Sequence, residues 1–295
     1  MSKKKQVFFG NATAIVTPFS QGQIDYLALG KMIDFQLSNG VSAIVILGTT
    51  GEASTIYENE RSELIAFAKR KLDGRVPLIV GTGSNATSVA VRYTKAAEGL
   101  GADACLVVTP YYNKASTEGL ISHYREIAKS VKIPIIIYNV PSRTGVKIPI
   151  EAYSTLSKIS NVVGVKEASG DLGYLTELLY NYKDRLHVYT GCDELILPTL
   201  ALGGQGVISV VSNVMPRETS RLCAEFKNGS IKESRRLQLY LSPLIKELFA
   251  EVNPIPVKAA LHKMGMCENE YRLPLCPSTR EKELEKVLKH YGILK

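Results

Sequence analysis

The stretch Asn161-Val162-Val163-Gly164-Val165-Lys166-Glu167-Ala168-Ser169-Gly170-Asp171 is a short apolar strand that ends on a cation and turns through Ser and Gly. Asp171 then stands as an N-cap before the amphipathic run 172–182. Strand, turn and helix together make one βα unit. A strand with helices on both sides in sequence is normally buried on both faces, and lysine is a poor strand residue. At the strand's C-terminal end, Lys166 either snorkels to solvent or sits where an amine does chemistry. The strand alone favours the first reading.

The same unit recurs along the chain. Apolar segments at 12–16, 43–47, 78–80, 105–108, 135–139, 162–166, 187–189 and 207–209 alternate with amphipathic ones at 26–38, 58–71, 87–100, 117–130, 150–158, 172–182, 194–202 and 216–228. Strand followed by helix, repeated, calls for parallel pairing through right-handed crossovers. Eight such units in about 230 residues match a closed (β/α)8 TIM barrel, an α/β fold. An open doubly wound sheet is the runner-up. It usually carries a Gly-rich phosphate turn after its first strand, and Thr17-Pro18-Phe19 is not one. After Gly229 the alternation stops, and helices are expected over 230–249, 254–264 and 278–290, with proline-rich breaks between them. The expected organisation is a barrel over 1–229 and a C-terminal helical appendage over 230–295.

Composition narrows the function classes. With 295 residues, 45% hydrophobic and 22% charged, the chain reads as globular. The net charge of +8 comes from scattered residues. The clusters Lys3-Lys4-Lys5, Lys69-Arg70-Lys71 and Arg235-Arg236 lie far apart without interleaved aromatics, so nucleic acid is not the expected partner. An anionic substrate in a basic cleft accounts for the charge better. The five cysteines form no CxxC pair and the four histidines no HxxxH or HExxH, which predicts reduced thiols in a cytoplasmic protein and no metal site. The start of the sequence is basic but lacks an apolar h-region, and no stretch reaches the ~20 apolar residues of a membrane span.

In a barrel the active site is built from the strand C-termini and the loops after them. The second strand delivers Gly48-Thr49-Thr50-Gly51-Glu52, the fourth Thr109-Pro110-Tyr111-Tyr112-Asn113, and the fifth Tyr138-Asn139-Val140-Pro141-Ser142-Arg143. The sixth delivers Lys166, the seventh Gly191-Cys192-Asp193, and the eighth Gly206-Val207-Ile208-Ser209. Singly, each has a structural explanation: Tyr138 as a strand aromatic, Arg143 as a surface cation, the glycines as turns. Together they bring an amine, hydroxyls, phenols and a guanidinium to one rim. That set suits carbonyl chemistry by amine catalysis. An amine attacks a ketone only when neutral, which burial against Val163 and Val165 would favour. The iminium that results acidifies the adjacent carbon, phenols move the protons, and backbone N–H groups hold a carboxylate.

These motifs, with Val165-Lys166-Glu167-Ala168 and Asn253-Pro254-Ile255-Pro256-Val257-Lys258, resemble the dihydrodipicolinate synthase family of pyruvate-dependent class I aldolases, from about Gly10 to the C-terminus. The resemblance implies a cofactor-free lyase that condenses pyruvate with L-aspartate 4-semialdehyde, the first committed step of the diaminopimelate route to lysine. It implies that Lys166 forms the Schiff base, Tyr138 is acid and base, and Thr49 links Tyr138 to Tyr112 in a proton relay. Thr49 and Thr50 would hold the pyruvate carboxylate, Arg143 that of the semialdehyde, and Gly191 and the Ile208 backbone would line the pocket. Tyr111 would cross a dimer interface within a homotetramer.

N-acetylneuraminate lyase or a 2-keto-3-deoxy-acid aldolase is the alternative within the same group, and Arg143 in the Tyr-Asn-x-Pro loop argues for the synthase. A non-catalytic keto-acid sensor would have no use for the relay. Two departures, Ala53-Ser54 and Ala115, are conservative. Where lysine-inhibited relatives carry a glutamate this chain has Val89, and Glu58 and Arg61 replace histidines while Asn85 is kept. Weak or absent inhibition by lysine is therefore expected.

Overall fold

The structure, a computed structural model, describes residues 4–294. Lys3 of the N-terminal basic cluster and the extreme ends of the two expected segments lie outside the described residues. Eight parallel strands close on themselves: β1 (Gly10–Ala14), β2 (Ala43–Ile46), β3 (Leu78–Gly81), β4 (Ala104–Val108), β5 (Ile135–Asn139), β6 (Val162–Glu167), β7 (His187–Thr190) and β8 (Gly206–Ser209). Each strand pairs with its sequence neighbour, and β8 returns to β1 with Gly206 opposite Gly10. That seam has no room for a side chain, since a Cβ on Gly206 would come within 1.9 Å of the Gly10 carbonyl oxygen.

The intervening helices are α1 (Tyr26–Ser38), α2 (Glu58–Leu72), α3 (Thr87–Gly99), α4 (Thr117–Lys129), one-turn α5 (Pro141–Thr144), α6 (Ala152–Leu156), α7 (Leu172–Tyr182), α8 (Ile196–Ala201) and α9 (Pro216–Lys227). Asp25, Ser116 and Asp171 cap α1, α4 and α7 by accepting from backbone N–H groups of the first turn. The expected barrel is thus found. The strand expected at 12–16 pairs over Gly10–Ala14 instead, because Gly10 and Asn11 find partners on β8. A small hairpin, Phe19–Ser20 with Gln23–Ile24, was not anticipated.

Beyond Gly229 come α10 (Ile231–Leu248), α11 (Ile255–Lys263) and α12 (Glu281–His290). Leu237, Leu241, Leu244, Leu248, Val257, Leu261, Leu284 and Leu288 from these helices join the apolar layer between the strands and the outer helices. Fully burying a leucine contributes roughly 1.5–3 kcal/mol, so this set is ample to hold the segment on the barrel. A second apolar cluster fills the barrel interior: Ala12, Ala14, Ala43, Val45, Ile79, Ala104, Leu106, Ile136, Val163, Tyr189 and Ile208, with Phe8 beneath. Phe8 stacks on Tyr189 at 4.2 Å, and the Tyr189 hydroxyl donates to the Phe8 carbonyl at 2.8 Å.

Candidate active site

A bulge decides where the lysine points. Ile135 is opposite Val162 but Ile136 is opposite Gly164, so Val163 is an extra residue on β6. In an unbroken strand, residues 163 and 165 would share a face. With the insertion, Val163 faces the barrel interior, Val165 faces the outer helices, and Lys166 turns inward. The expectation that both valines shelter the amine is corrected: Val165 lies in the other apolar layer.

Lys166 is paired in register with Tyr138 on β5 and Tyr189 on β7. Its Nζ stands 4.3 Å from the centroid of the Tyr138 ring. Lys166 is 6% exposed and Tyr138 7%. Gly191 closes the other side. A Cβ there would lie 2.6 Å from Lys166 Cε and 2.7 Å from Ala168 Cβ, so only glycine leaves the lysine its space. Next to it, burial pushes the Cys192 thiol up to about 12, which leaves it a poor nucleophile. Ile208 is fully buried in the same inner cluster as Tyr138 and Tyr189. Among the described residues no group of His, Cys, Asp and Glu is arranged to hold a metal ion.

Tyr138 opens onto a cavity of about 400 Å³ lined also by Gly48, Thr49, Tyr111, Val140 and Arg143. Thr49 lies in the turn after β2, where Leu47 and Glu52 both have left-handed φ (+54°). Such a conformation costs a non-glycine residue about 1–2 kcal/mol and concentrates at functional sites. Thr50 is buried in this turn, and its Oγ1 receives the Asn253 side chain at 3.1 Å. Arg143, on one-turn α5, donates through Nη2 to the Asn253 carbonyl at 3.0 Å. The guanidinium is thus fixed at the rim with other N–H groups left for a ligand.

The two tyrosines after β4 separate. Tyr111 is 39% exposed and lines the cavity of its own chain. Tyr112 is 92% exposed, has φ +72°, and is not among the residues that line the cavity. Within one chain Tyr111 shares a cavity with Tyr138 and Thr49, whereas Tyr112 stands apart from both.

The cavity extends toward Ala53, Ser54, Val89 and Tyr93. There the Arg61 guanidinium donates to the carbonyls of Ala53 and Gly81, both at 2.9 Å, and stacks 4.2 Å from the Tyr93 ring. Glu58 instead pairs with Arg92 at 2.9 Å, near the surface. No carboxylate side chain is among the residues that line this lobe.

Several buried polar residues around the rim drew no functional reading from the sequence. Glu167 accepts from the Asn139 side chain and the Ser169 N–H, both at 2.6 Å, and burial raises its pKa. Asp193 Oδ2 accepts from the Val210 and Val211 N–H groups, tying the loop after β7 to that after β8. Lys258 Nζ donates to Glu52 Oε1 at 2.6 Å in full burial. Burial drives the Glu52 pKa up and that of Lys258 down, each opposed by attraction to the other. A lysine inside the apolar run Pro256-Val257-Lys258-Ala259-Ala260-Leu261 was the available signal for the last of these.

The chain matches the model of the dihydrodipicolinate synthetase family over residues 7–291. It is 49% identical over 290 residues to a 4-hydroxy-tetrahydrodipicolinate synthase of Alkaliphilus oremlandii, covering 98% of this chain and 100% of the relative. The same named enzyme from Acetivibrio thermocellus is 46% identical over 293 residues, covering 99% and 100%. Among solved structures, dihydrodipicolinate synthase from Thermotoga maritima superposes with a TM-score of 0.96 at 45% identity, over 98% of this chain and 100% of that one.

Proposed function

The chain belongs to the dihydrodipicolinate synthetase family, and on that premise we propose that Lys166 carries its chemistry as a covalent imine. The enzyme is a lyase that condenses pyruvate with L-aspartate 4-semialdehyde to 4-hydroxy-tetrahydrodipicolinate, in the diaminopimelate route to lysine. The observation that carries the proposed mechanism is Lys166 Nζ, withdrawn from water and 4.3 Å from the Tyr138 ring.

In this mechanism the neutral amine adds to the pyruvate ketone, and Tyr138 donates the proton that lets the oxygen leave as water. The iminium draws electrons from the adjacent methyl carbon, which loses a proton to give an enamine. That carbon attacks the aldehyde, forming the new C–C bond. The semialdehyde's own amine then displaces Lys166 from the imine carbon, closing the six-membered ring and freeing the lysine. No cofactor is needed, because the iminium itself is the electron sink. Thr49 and Thr50 hold the pyruvate carboxylate with backbone N–H and hydroxyl donors.

Arg143 takes the carboxylate of the second substrate, for which a planar guanidinium offers a two-pronged grip. Arg143→Ala should abolish condensation while leaving borohydride-trappable pyruvate imine intact. Equal loss of both would remove Arg143 from this role.

For the relay, we assign the outward tyrosine to a second subunit. Tyr112 is exposed and held at a costly φ, as suits a side chain that completes another copy's site, while Tyr111 serves its own. This reading includes assembly as a dimer or dimer of dimers. It also includes a cytoplasmic location, consistent with five free cysteines.

A further inference from the structure

The turn after β2 is anchored from the far end of the sequence. Glu52, which closes it in a left-handed conformation, accepts a 2.6 Å hydrogen bond from Lys258 on α11, and neither side chain touches solvent. The ammonium is packed between the rings of Phe19, 4.3 Å away, and Tyr271, 4.8 Å away. Five residues earlier, Asn253 reaches Thr50 Oγ1 with its side chain and takes Arg143 on its carbonyl. On the barrel side the turn is tied by Thr17, whose hydroxyl donates to the Gly51 carbonyl at 2.7 Å. Its internal bonds run from the Gly51 N–H to the Gly48 carbonyl and from the Glu52 N–H to that of Thr49.

Desolvating two opposite charges commonly costs about as much as their attraction returns, and apolar replacements of buried pairs are often neutral or stabilising. Stability alone is therefore a poor reason for this pair. What it does fix is the place of Glu52, and through the short backbone between them, that of Thr49 and Thr50.

We propose that the Lys258–Glu52 pair is a positioning device for keto-acid capture. It holds the turn over residues 48–52 in the conformation that presents its donors to the substrate carboxylate, so the C-terminal helical segment sets the affinity of a subsite built by the barrel. This inference rests on the assignment of Thr49 and Thr50 to the pyruvate carboxylate. The two side chains act through the turn and do not touch the reacting atoms.

The test compares the intact enzyme with Lys258→Met, Glu52→Gln and the double variant. Lys258→Met alone leaves a buried carboxylate without its cation and risks the fold, so the double variant decides. Imine formation is trapped with borohydride over a range of pyruvate concentrations, and in parallel with acetone, a ketone that lacks the carboxylate. In the double variant, half-maximal trapping by pyruvate should need roughly tenfold more substrate, the loss given by one mispositioned hydrogen bond to a charged group. Acetone trapping and the thermal midpoint should stay near the parent's. Unchanged half-saturation by pyruvate would overturn the inference. So would a matched loss with both ketones, which would mark the pair as structural only. If the unsubstituted enzyme yields no pyruvate adduct on Lys166, the underlying imine assignment falls first, and that outcome is distinct from either of the others.

Discussion

At Gly191 a single methyl group separates a working site from a blocked one. An alanine Cβ would overlap Lys166 Cε, and with Ala168 crowding the other side there is little room to retreat. Gly191→Ala should still fold, at a cost of about 1–3 kcal/mol for overpacking, because Lys166 can swing its end aside while Ala168 Cβ, fixed to the backbone, must shift with its chain. A displacement near 1 Å at a reacting group costs on the order of 10²-fold in rate. We expect kcat to drop by about that factor with the thermal midpoint within a few degrees of the parent. A variant with parental turnover would show that the lysine does not occupy this space during reaction. The place of Lys166, Tyr138, Thr49 and Arg143 at one rim was legible because each sits near the end of a strand or in the turn after it, in a motif with recognisable punctuation. The reason for Gly191 was not. Nothing in Thr190-Gly191-Cys192 says which side chain its hydrogen faces.

Among the elements, β6 shows most clearly what a linear pattern conceals. Val162-Val163-Gly164-Val165 reads as a uniform apolar run, and its periodicity cannot say which residues point inward. Gly164 was the one hint, since a glycine inside a strand often marks a bulge. The bulge is a tertiary fact, set by pairing with β5, and it turns Lys166 into the barrel.

The loops after β7 and β8 carry another concealed device. Burial raises the Asp193 carboxyl from its ordinary 3.8 to about 6, against two backbone N–H donors that favour the charged form. The folded state therefore holds this proton where the unfolded chain has released it. The corresponding stability is fully present below about pH 4 and is lost as pH rises through about 6, of order 2–3 kcal/mol. Asp193→Asn keeps an acceptor for Val210 and Val211 but cannot titrate. Urea unfolding of parent and variant from about pH 4 to 7 should show the parent losing ground to the variant by that amount. A constant difference would mean that Asp193 ionises in the folded state as freely as in the unfolded one.

For the whole molecule, the barrel order was readable from alternation, because parallel strands with crossovers leave few topologies, and the three C-terminal helices from the proline-rich breaks between them. How the last helices reach back to the rim was not readable, since Asn253 and Lys258 meet Thr50 and Glu52 across some 200 residues of sequence. Contacts between copies are further removed still from any sequence pattern. The proposed exchange of Tyr112 can be tested by mixing two defective chains, Lys166→Ala and Tyr112→Phe, under conditions that reassort subunits. A mixed pair would have one site with both lysine and tyrosine intact, so random reassortment should restore roughly a quarter of the activity. No recovery, with mixed oligomers demonstrably formed, would return Tyr112 to its own chain or remove it from the relay.

The account turns on one covalent bond, and one measurement addresses it directly. The protein is reduced with borohydride in the presence of pyruvate, digested, and the modified peptide identified by mass spectrometry. The pyruvate-derived three-carbon group should be found on Lys166 and be absent without reductant. A modification on any other lysine, or none at saturating pyruvate, would contradict the mechanism.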